Sequence, residues 1–390
     1  MLYRVAANAM RGRELVAAKK ILMVGPYPPP EGGWSTAIRE EREELLARGF
    51  DCKVLNLGAN RRVPGAEYLC VRNGPDLAAK LLKHCLRGYT FRLHMNGDSF
   101  KGMGVVFIAS CIGAVFFQRS ILSFHAGERQ RYFPHRGNPF LWALWRVAFN
   151  LPVIVVCDSP AVRDLIRTYR RGKGGVYAVS PFSRRRVAYE PAPLDNAFET
   201  FLSSHRPVLF SYFAYRPEYT LDALFEMVRR LRAKHRAIGL LAVDDRSHPD
   251  RAVFERAKRL LAGEGLAGSV LLTGEVGRNG FLTLLGRADL YVRTPMTDGV
   301  CSSVLEALHF KVPVVASDNG GRPPGVVTFV GGSVDDMESK VDGVIRDLEA
   351  HKRSLGGAAA EAEDGVGRLA DIIEARLGVR SPAGAREGTG

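Results

Sequence analysis

Two carboxylates eight residues apart, Asp298 and Glu306, bracket a serine pair in the stretch TDGVCSSVLEAL (297–308). The Asp-Gly turn leads into a helix that should begin near Ser302. The first N–H groups of a helix have no intrahelical acceptor and carry the positive end of its dipole, so Ser302, Ser303 and this turn form a place where a phosphate can sit. Glu306 lies four residues beyond Ser302 and three beyond Ser303, which puts all three on one face. The remaining positions, Val304, Leu305, Ala307 and Leu308, are apolar. A lone carboxylate on such a helix can accept two hydrogen bonds from a diol such as a ribose; the alternative is a solvated carboxylate on an ordinary amphipathic helix. Hydrolytic use of the pair would need the two carboxyls to flank a scissile bond roughly 5–10 Å apart, with the pKa of one raised.

Something must hold this turn at the end of a strand. Short apolar, β-branched runs alternate with helix-length segments along the whole chain. In the first half they are KILMVG (20–25), CKVLNL (52–57), FRLHM (91–95), SILSFH (120–125), VIVVC (153–157) and GVYAVS (175–180). The alternation restarts with PVLFSY (207–212), IGLLAV (238–243), SVLLTG (269–274), ADLYVR (288–293) and VPVVAS (312–317). Strand and helix in turn specify a parallel sheet covered on both faces. The proline-bearing segment 187–206 reads as a linker, which predicts two doubly wound α/β domains, 1–200 and 201–378, the second including helices at about 333–350 and 357–377. Residues 379–390 are expected to be a disordered tail. In such sheets ligands bind beyond the carboxyl ends of the strands, so the post-strand loops are where chemistry is to be sought.

A chain of 390 residues with 46% hydrophobic and 25% charged residues has the composition of an ordinary globular protein. Its net charge of +14 is uneven: residues 1–200 hold 30 Lys and Arg against 16 Asp and Glu, and residues 201–390 hold 25 against 25. A basic first half suits an anionic partner such as lipid head groups, a phosphorylated carrier or nucleic acid; the alternative is a general excess of arginine. Nucleic acid is disfavoured, because the excess forms no single run, zinc module or aromatic RNA-binding motif. The six cysteines show no ligand spacing and read as buried thiols of a reducing compartment. No secretory signal is recognisable, and GMGVVFIASCIGAVFF (102–117) falls short of a membrane span and reads as a buried helix. No G-x-G-x-x-G follows the first strand, which argues against a dinucleotide oxidoreductase.

The stretch 274–328, with its Asp298/Glu306 pair, the Pro-Val strand after it and the Gly-Gly turn at 320–321, resembles the nucleotide-sugar half-site of the family 4 glycosyltransferases. These are retaining enzymes of the GT-B fold, α/β proteins with two Rossmann-like doubly wound parallel-sheet domains facing across a cleft. ILMVGPYPPPEGGW and LSFHAGERQ are similar to the opening and the His-Gly loop of the same enzymes, and the likeness spans about residues 20–330. The resemblance implies that Asp298 contacts the donor sugar and that the backbone of Gly299, Val300, Cys301, Ser302 and Ser303 cradles sugar and diphosphate. Glu306 would hold the ribose, Gly32 and Gly33 would let the backbone approach the diphosphate, and His125 would lie near the reacting sugar.

Several positions depart from the family. Asp298 stands where Glu is more usual, Lys311 replaces the glycine that ends the Glu-bearing helix, and GGRPPG lacks the Glu often found after the second Gly-Gly turn. The loop after residue 212 has Arg216 as its one cation where the family commonly carries an Arg and a Lys, leaving Arg293, Arg278 and Arg322 as substitutes. No Asp-x-Asp occurs, in keeping with metal-independent chemistry and no cofactor. The expectation is transfer of a sugar from a nucleoside diphosphate sugar to a carbohydrate or lipid-linked acceptor, in cell-envelope or polysaccharide synthesis. The protein would be cytoplasmic, with the basic first domain against an anionic inner membrane face. The segment 129–146 reads either as an interfacial segment or as a core helix with a basic rim. The alternative function is a nucleotide-sugar-binding protein without transferase activity.

Overall fold

The computed structural model describes residues 20–29, 33–97, 99–118, 120–125, 127, 130, 132–134, 137–172, 175–246, 249–263, 265–295, 300–358 and 364–377. Asp298, Gly299, Gly32 and the 379–390 tail lie outside them. The chain forms two compact units, one ending at Ser183 and taking back the chain from Asp364, the other running Arg184–Glu363.

In the first unit β1 (Lys20–Gly25), β2 (Asp51–Asn56), β3 (Thr90–Met95), β4 (Ser120–Phe124), β5 (Ile154–Cys157) and β6 (Val176–Ala178) form a parallel sheet in the order β2-β1-β3-β4-β5-β6. In the second, β7 (Val208–Ala214), β8 (Gly239–Asp245), β9 (Val270–Leu272), β10 (Leu290–Arg293), β11 (Val314–Ser317) and β12 (Val326–Phe329) take the order β12-β11-β10-β7-β8-β9. Helices intervene between most successive strands in each. The inner strands β4, β5, β10 and β11 are fully buried because helices cover both faces, which is why they read as unbroken apolar runs. Each order reverses once, between β1 and β3 and between β7 and β10, and at such a reversal the flanking loops splay apart and leave a crevice. The second sheet has the 3-2-1-4-5-6 order of a dinucleotide-binding fold. Residues 215–220 follow β7, and residues 294, 295, 300 and 301 follow β10, on the two sides of its reversal.

Three expectations need correction. The segment 187–206 is only partly a linker: helix Asn196–Ser204 drives Phe201 and Leu202 into the core of the second unit, so that unit begins at Arg184. The last helix does not stay with the second domain. Helix Gly365–Leu377 packs on the first unit, burying Leu369, Ala370 and Ile373 against Ile21, Met23 and Val54. Arg48 fixes it there through Asp371 (2.6 Å), Glu374 (3.1 Å) and the Gly367 carbonyl (3.1 Å). At its start only glycine fits, since a Cβ on Gly365 would lie 1.7 Å from the Ser180 carbonyl oxygen.

The third concerns helix Phe100–Val115, which is apolar all round but buried on one face only. Met103, Val106 and Ala109 enter the core while Ile108 and Val115 face outward. The thiols likewise divide: Cys52, Cys85 and Cys157 are buried, and Cys70, Cys111 and Cys301 are half-buried. The strand β12 has no counterpart in the sequence reading.

Candidate functional site

Helix Ser302–His309 begins just past the β10 crevice, as the Asp-Gly turn and serine pair imply. Cys301 occupies its N-cap. Ser303 is held by the Tyr291 hydroxyl (2.7 Å) and the Cys301 thiol (3.1 Å), so the first turn is pinned to the strand beneath it. At the far end Lys311 takes a left-handed φ of 59°, and Lys311 and Val312 donate to Leu308 and Ala307. A glycine-type helix stop is thus made with a side chain, at a cost of about 1 kcal/mol.

Glu306 is buried, which sets aside the alternative of a solvated carboxylate on an amphipathic helix. It is 1% exposed, and its two carboxylate oxygens accept from Arg278, Nη2 to Oε1 at 2.7 Å and Nη1 to Oε2 at 3.2 Å. Arg278 opens helix Arg278–Arg287, lies 5.9 Å over the Phe281 ring and is one-third exposed. Its outer side lines a cavity of about 570 Å³, within the range of small-molecule sites, with Pro193, Leu194, Phe198, Val276 and Leu284.

Two other cations of the expected site, Arg293 and Arg322, are structural ties. Arg293, 5% exposed, stacks over Tyr212 (5.6 Å) and Tyr219 (5.3 Å) and donates to the Tyr212 carbonyl (3.0 Å). Thr294 adds a bond to the Tyr219 carbonyl (2.6 Å), so the loops on either side of the reversal are fastened to each other. Arg322 donates to the carbonyls of Ser317 and Pro295, both at 3.0 Å. Arg216 is exposed at the start of the 3-10 turn Pro217–Tyr219. Asp244, fully buried at the end of β8, gathers three loops by accepting from Tyr215 (2.8 Å), Gly274 N–H (2.7 Å) and Arg246 (2.6 Å). The sequence reading passed over it, although an acidic residue ending an apolar strand run was the available signal.

In the first unit His125 follows β4 and belongs to a chain of polar side chains that the sequence reading did not assemble. Its Nδ1 is 3.3 Å from the Asp158 carboxylate and its Nε2 is 3.2 Å from Nδ1 of His94, with the two imidazoles parallel at 1°. Trp34 packs against the same ring at 5.7 Å. Beyond His94 stands Glu41, which receives the fully buried Arg92 through two bonds, 2.6 and 3.2 Å. Both His125 nitrogens are therefore engaged by the protein. An added Cβ at Gly33 would meet nothing within 4 Å, whereas one at Gly25 would strike Ile38 at 2.6 Å and His94 at 3.2 Å. Of the two, Gly25 is the one where a side chain would have to push neighbours aside.

Burial, with the Arg92 and His125 charges beside it, holds His94 well below the ordinary imidazole range, and burial also lowers His84 and His309. An unfolded chain takes up these protons as pH falls past about 6.5, and the folded one does so only at lower pH. Stability should therefore be full above pH 6.5 and decline below it, by up to about 1.4 kcal/mol per pH unit for each histidine. Denaturant unfolding at pH 7.5 and 5.5 tests this: His94→Gln should flatten the dependence, and an unchanged slope would reject His94 as a contributor.

Among the described residues no group of three His, Cys, Asp or Glu side chains is placed to hold a metal, and no helix is long and apolar enough to cross a membrane. Residues 195–351 match the family model described as glycosyl transferases group 1. No curated protein matches the sequence. Among solved structures the chain is similar to Anabaena Alr3699/HepE in complex with UDP (TM-score 0.69, 14% identity, covering 93% of this chain and 100% of that one). It is also similar to S. aureus MnaA with UDP (0.64, 15%, 95% and 100%) and to the trehalose-6-phosphate synthase OtsA (0.65, 12%, 92% and 99%). At these identities the likeness is one of fold. Residues 195–351 thus resemble the glycosyl transferases group 1, in a chain with the two-domain α/β fold known as GT-B.

Proposed function

We propose that the chain is a retaining, metal-independent glycosyltransferase that moves a sugar from a nucleoside diphosphate sugar to an acceptor hydroxyl. The observation that carries this reading is Glu306 on the helix after β10, at the reversal of a 3-2-1-4-5-6 sheet and inside the family-matched segment. In this reading Glu306 takes the ribose diol, the Cys301–Ser303 turn takes the diphosphate, and Asp298 takes the sugar. UDP, present in the Alr3699/HepE and MnaA structures, is the first nucleotide to try. Calorimetry with UDP, GDP, ADP and dTDP should find one that binds, and its sugar adduct should release free nucleotide in the presence of acceptor. Binding of none rejects the reading.

A second reading, a nucleotide-sugar binder without transfer, is favoured by one observation. Two of the three arginines available to replace the missing phosphate-binding pair are committed to backbone carbonyls, and Arg278 is committed to Glu306. Product formation separates the two readings.

For the acceptor, a lipid-linked sugar at an anionic membrane is the choice the first unit supports. Helices Phe100–Val115 and Pro139–Asn150 leave Phe100, Ile108, Val115, Phe140 and Trp142 exposed, with Phe117 94% exposed just beyond the first of them. Arg146 lies 4.7 Å over Trp142, an aromatic and a cation together as an interfacial surface requires. Sedimentation with vesicles containing phosphatidylglycerol should carry the protein down, and Phe117→Asp should reduce the bound fraction several-fold. No association at low salt rejects this placement.

A further inference from the structure

We infer that Arg278 is an exchange residue of the nucleotide site: it caps Glu306 while the site is empty, and a ribose diol displaces it and releases its guanidinium to the diphosphate. The inference rests on the donor-site reading above and adds a determinant of specificity to it.

Three features of the second unit carry it. Glu306 is 1% exposed and each of its oxygens accepts from Arg278, so a diol can reach the buried carboxylate only when that pair opens. A buried carboxylate left without a partner is costly, and the empty site therefore needs such a cap. The cap is itself able to leave. Arg278 is one-third exposed, sits in the first turn of its helix, and forms part of the cavity wall with Pro193, Leu194, Phe198 and Val276. Asp195 and Asn279 line the same cavity, so it offers apolar contact and hydrogen-bonding groups together, as a nucleobase entering beside the guanidinium would use.

The released charge has a destination. Glu306 is four residues along its helix from Ser302, about 6 Å along the axis at 1.5 Å per residue. In the donor-site reading the diphosphate of a ribose held at Glu306 lies toward the helix N-terminus, about one helical turn from the carboxylate that Arg278 vacates. Arg293 and Arg322 are occupied in tying loops together and Arg216 is exposed on the loop after β7, whereas Arg278 is held by the very carboxylate that the ribose would take. The exchange swaps one carboxylate for another anion, and a nucleoside without phosphates would break the ion pair and give the guanidinium nothing in return.

The test compares nucleoside with nucleoside diphosphate, by calorimetry, for the base that the wild type binds. In Arg278→Gln the nucleoside should bind at least 5-fold more tightly, because its competitor is gone. The diphosphate should gain nothing or weaken, so the ratio of the two dissociation constants should fall at least 5-fold. Arg278→Lys, which keeps a cation but loses the two-pronged pair, should retain part of the ratio and guards against a folding defect in the first variant. If both ligands weaken equally in both variants, Arg278 is a strut for Glu306 and the exchange is rejected. If the wild type binds no nucleotide at all, the donor site itself is rejected and the exchange falls with it.

Discussion

Glu41→Ala should lower the unfolding free energy by about 3–5 kcal/mol, the usual result of leaving a buried charge without its partner. Arg92 stands in the middle of β3, an inner strand, and is 0% exposed. Its Nε and one Nη reach Glu41 on helix Gly33–Ala47, and that same Nη reaches Ser123 on β4 at 2.6 Å. Removing the carboxylate leaves a guanidinium that can neither titrate nor reach water, inside the sheet that carries His94 and His125. Removing both partners is another matter. In Glu41→Leu/Arg92→Leu the desolvation cost disappears along with the attraction, so the double variant should be markedly more stable than Glu41→Ala. Urea unfolding of the two variants checks the argument; a loss below about 1 kcal/mol in Glu41→Ala would show that water or a rearranged neighbour satisfies Arg92.

The same residue shows what the sequence could and could not disclose. FRLHM was legible as a strand because inner parallel strands are buried on both faces and read as apolar runs. The arginine inside that run was a signal as well, for a charge in a doubly covered strand must find a partner. Which partner was not legible: Glu41 lies 51 positions earlier, on a helix whose sequence offers Glu40, Glu41, Glu43 and Glu44 as equal candidates. Only the crossing of helix and strand selects one. His94 followed the same pattern, since its pairing with His125 depends on β3 and β4 being neighbours.

Helix Gly365–Leu377 failed to be placed for a related reason. Its apolar face was readable, but nothing in its own sequence says which unit that face covers. The choice is made by contacts remote in sequence, chiefly Arg48 with Asp371 and Glu374. β12 was missed because VVTF is four residues long and follows a Gly- and Pro-rich turn, so period and composition both favoured a loop. In the site itself the position of Glu306 on its helix was legible and its pairing was not. GRNG at 277–280 reads as a turn, and nothing local says that its arginine reaches across to the next helix but one strand.

Glu306→Ala should weaken binding of the cognate nucleotide by about 1–3 kcal/mol, roughly 5- to 150-fold, as for loss of hydrogen bonds to a charged acceptor. The effect on folding should be smaller than that of Glu41→Ala, although both remove a buried carboxylate from an arginine. The difference lies in the cation left behind: Arg278 is one-third exposed and can turn to water, and Arg92 cannot. A loss of affinity alone does not locate the contact, so the ligand is varied too. If Glu306 accepts from the ribose hydroxyls, a 2′-deoxy or 3′-deoxy nucleotide should bind the wild type less well than its parent, and that penalty should vanish in Glu306→Ala. The non-additivity of the two deletions is then the interaction itself. A deoxy penalty of equal size in both proteins would move the ribose elsewhere and leave Glu306 as the anchor of Arg278, its cavity wall intact and its ligand still to be found.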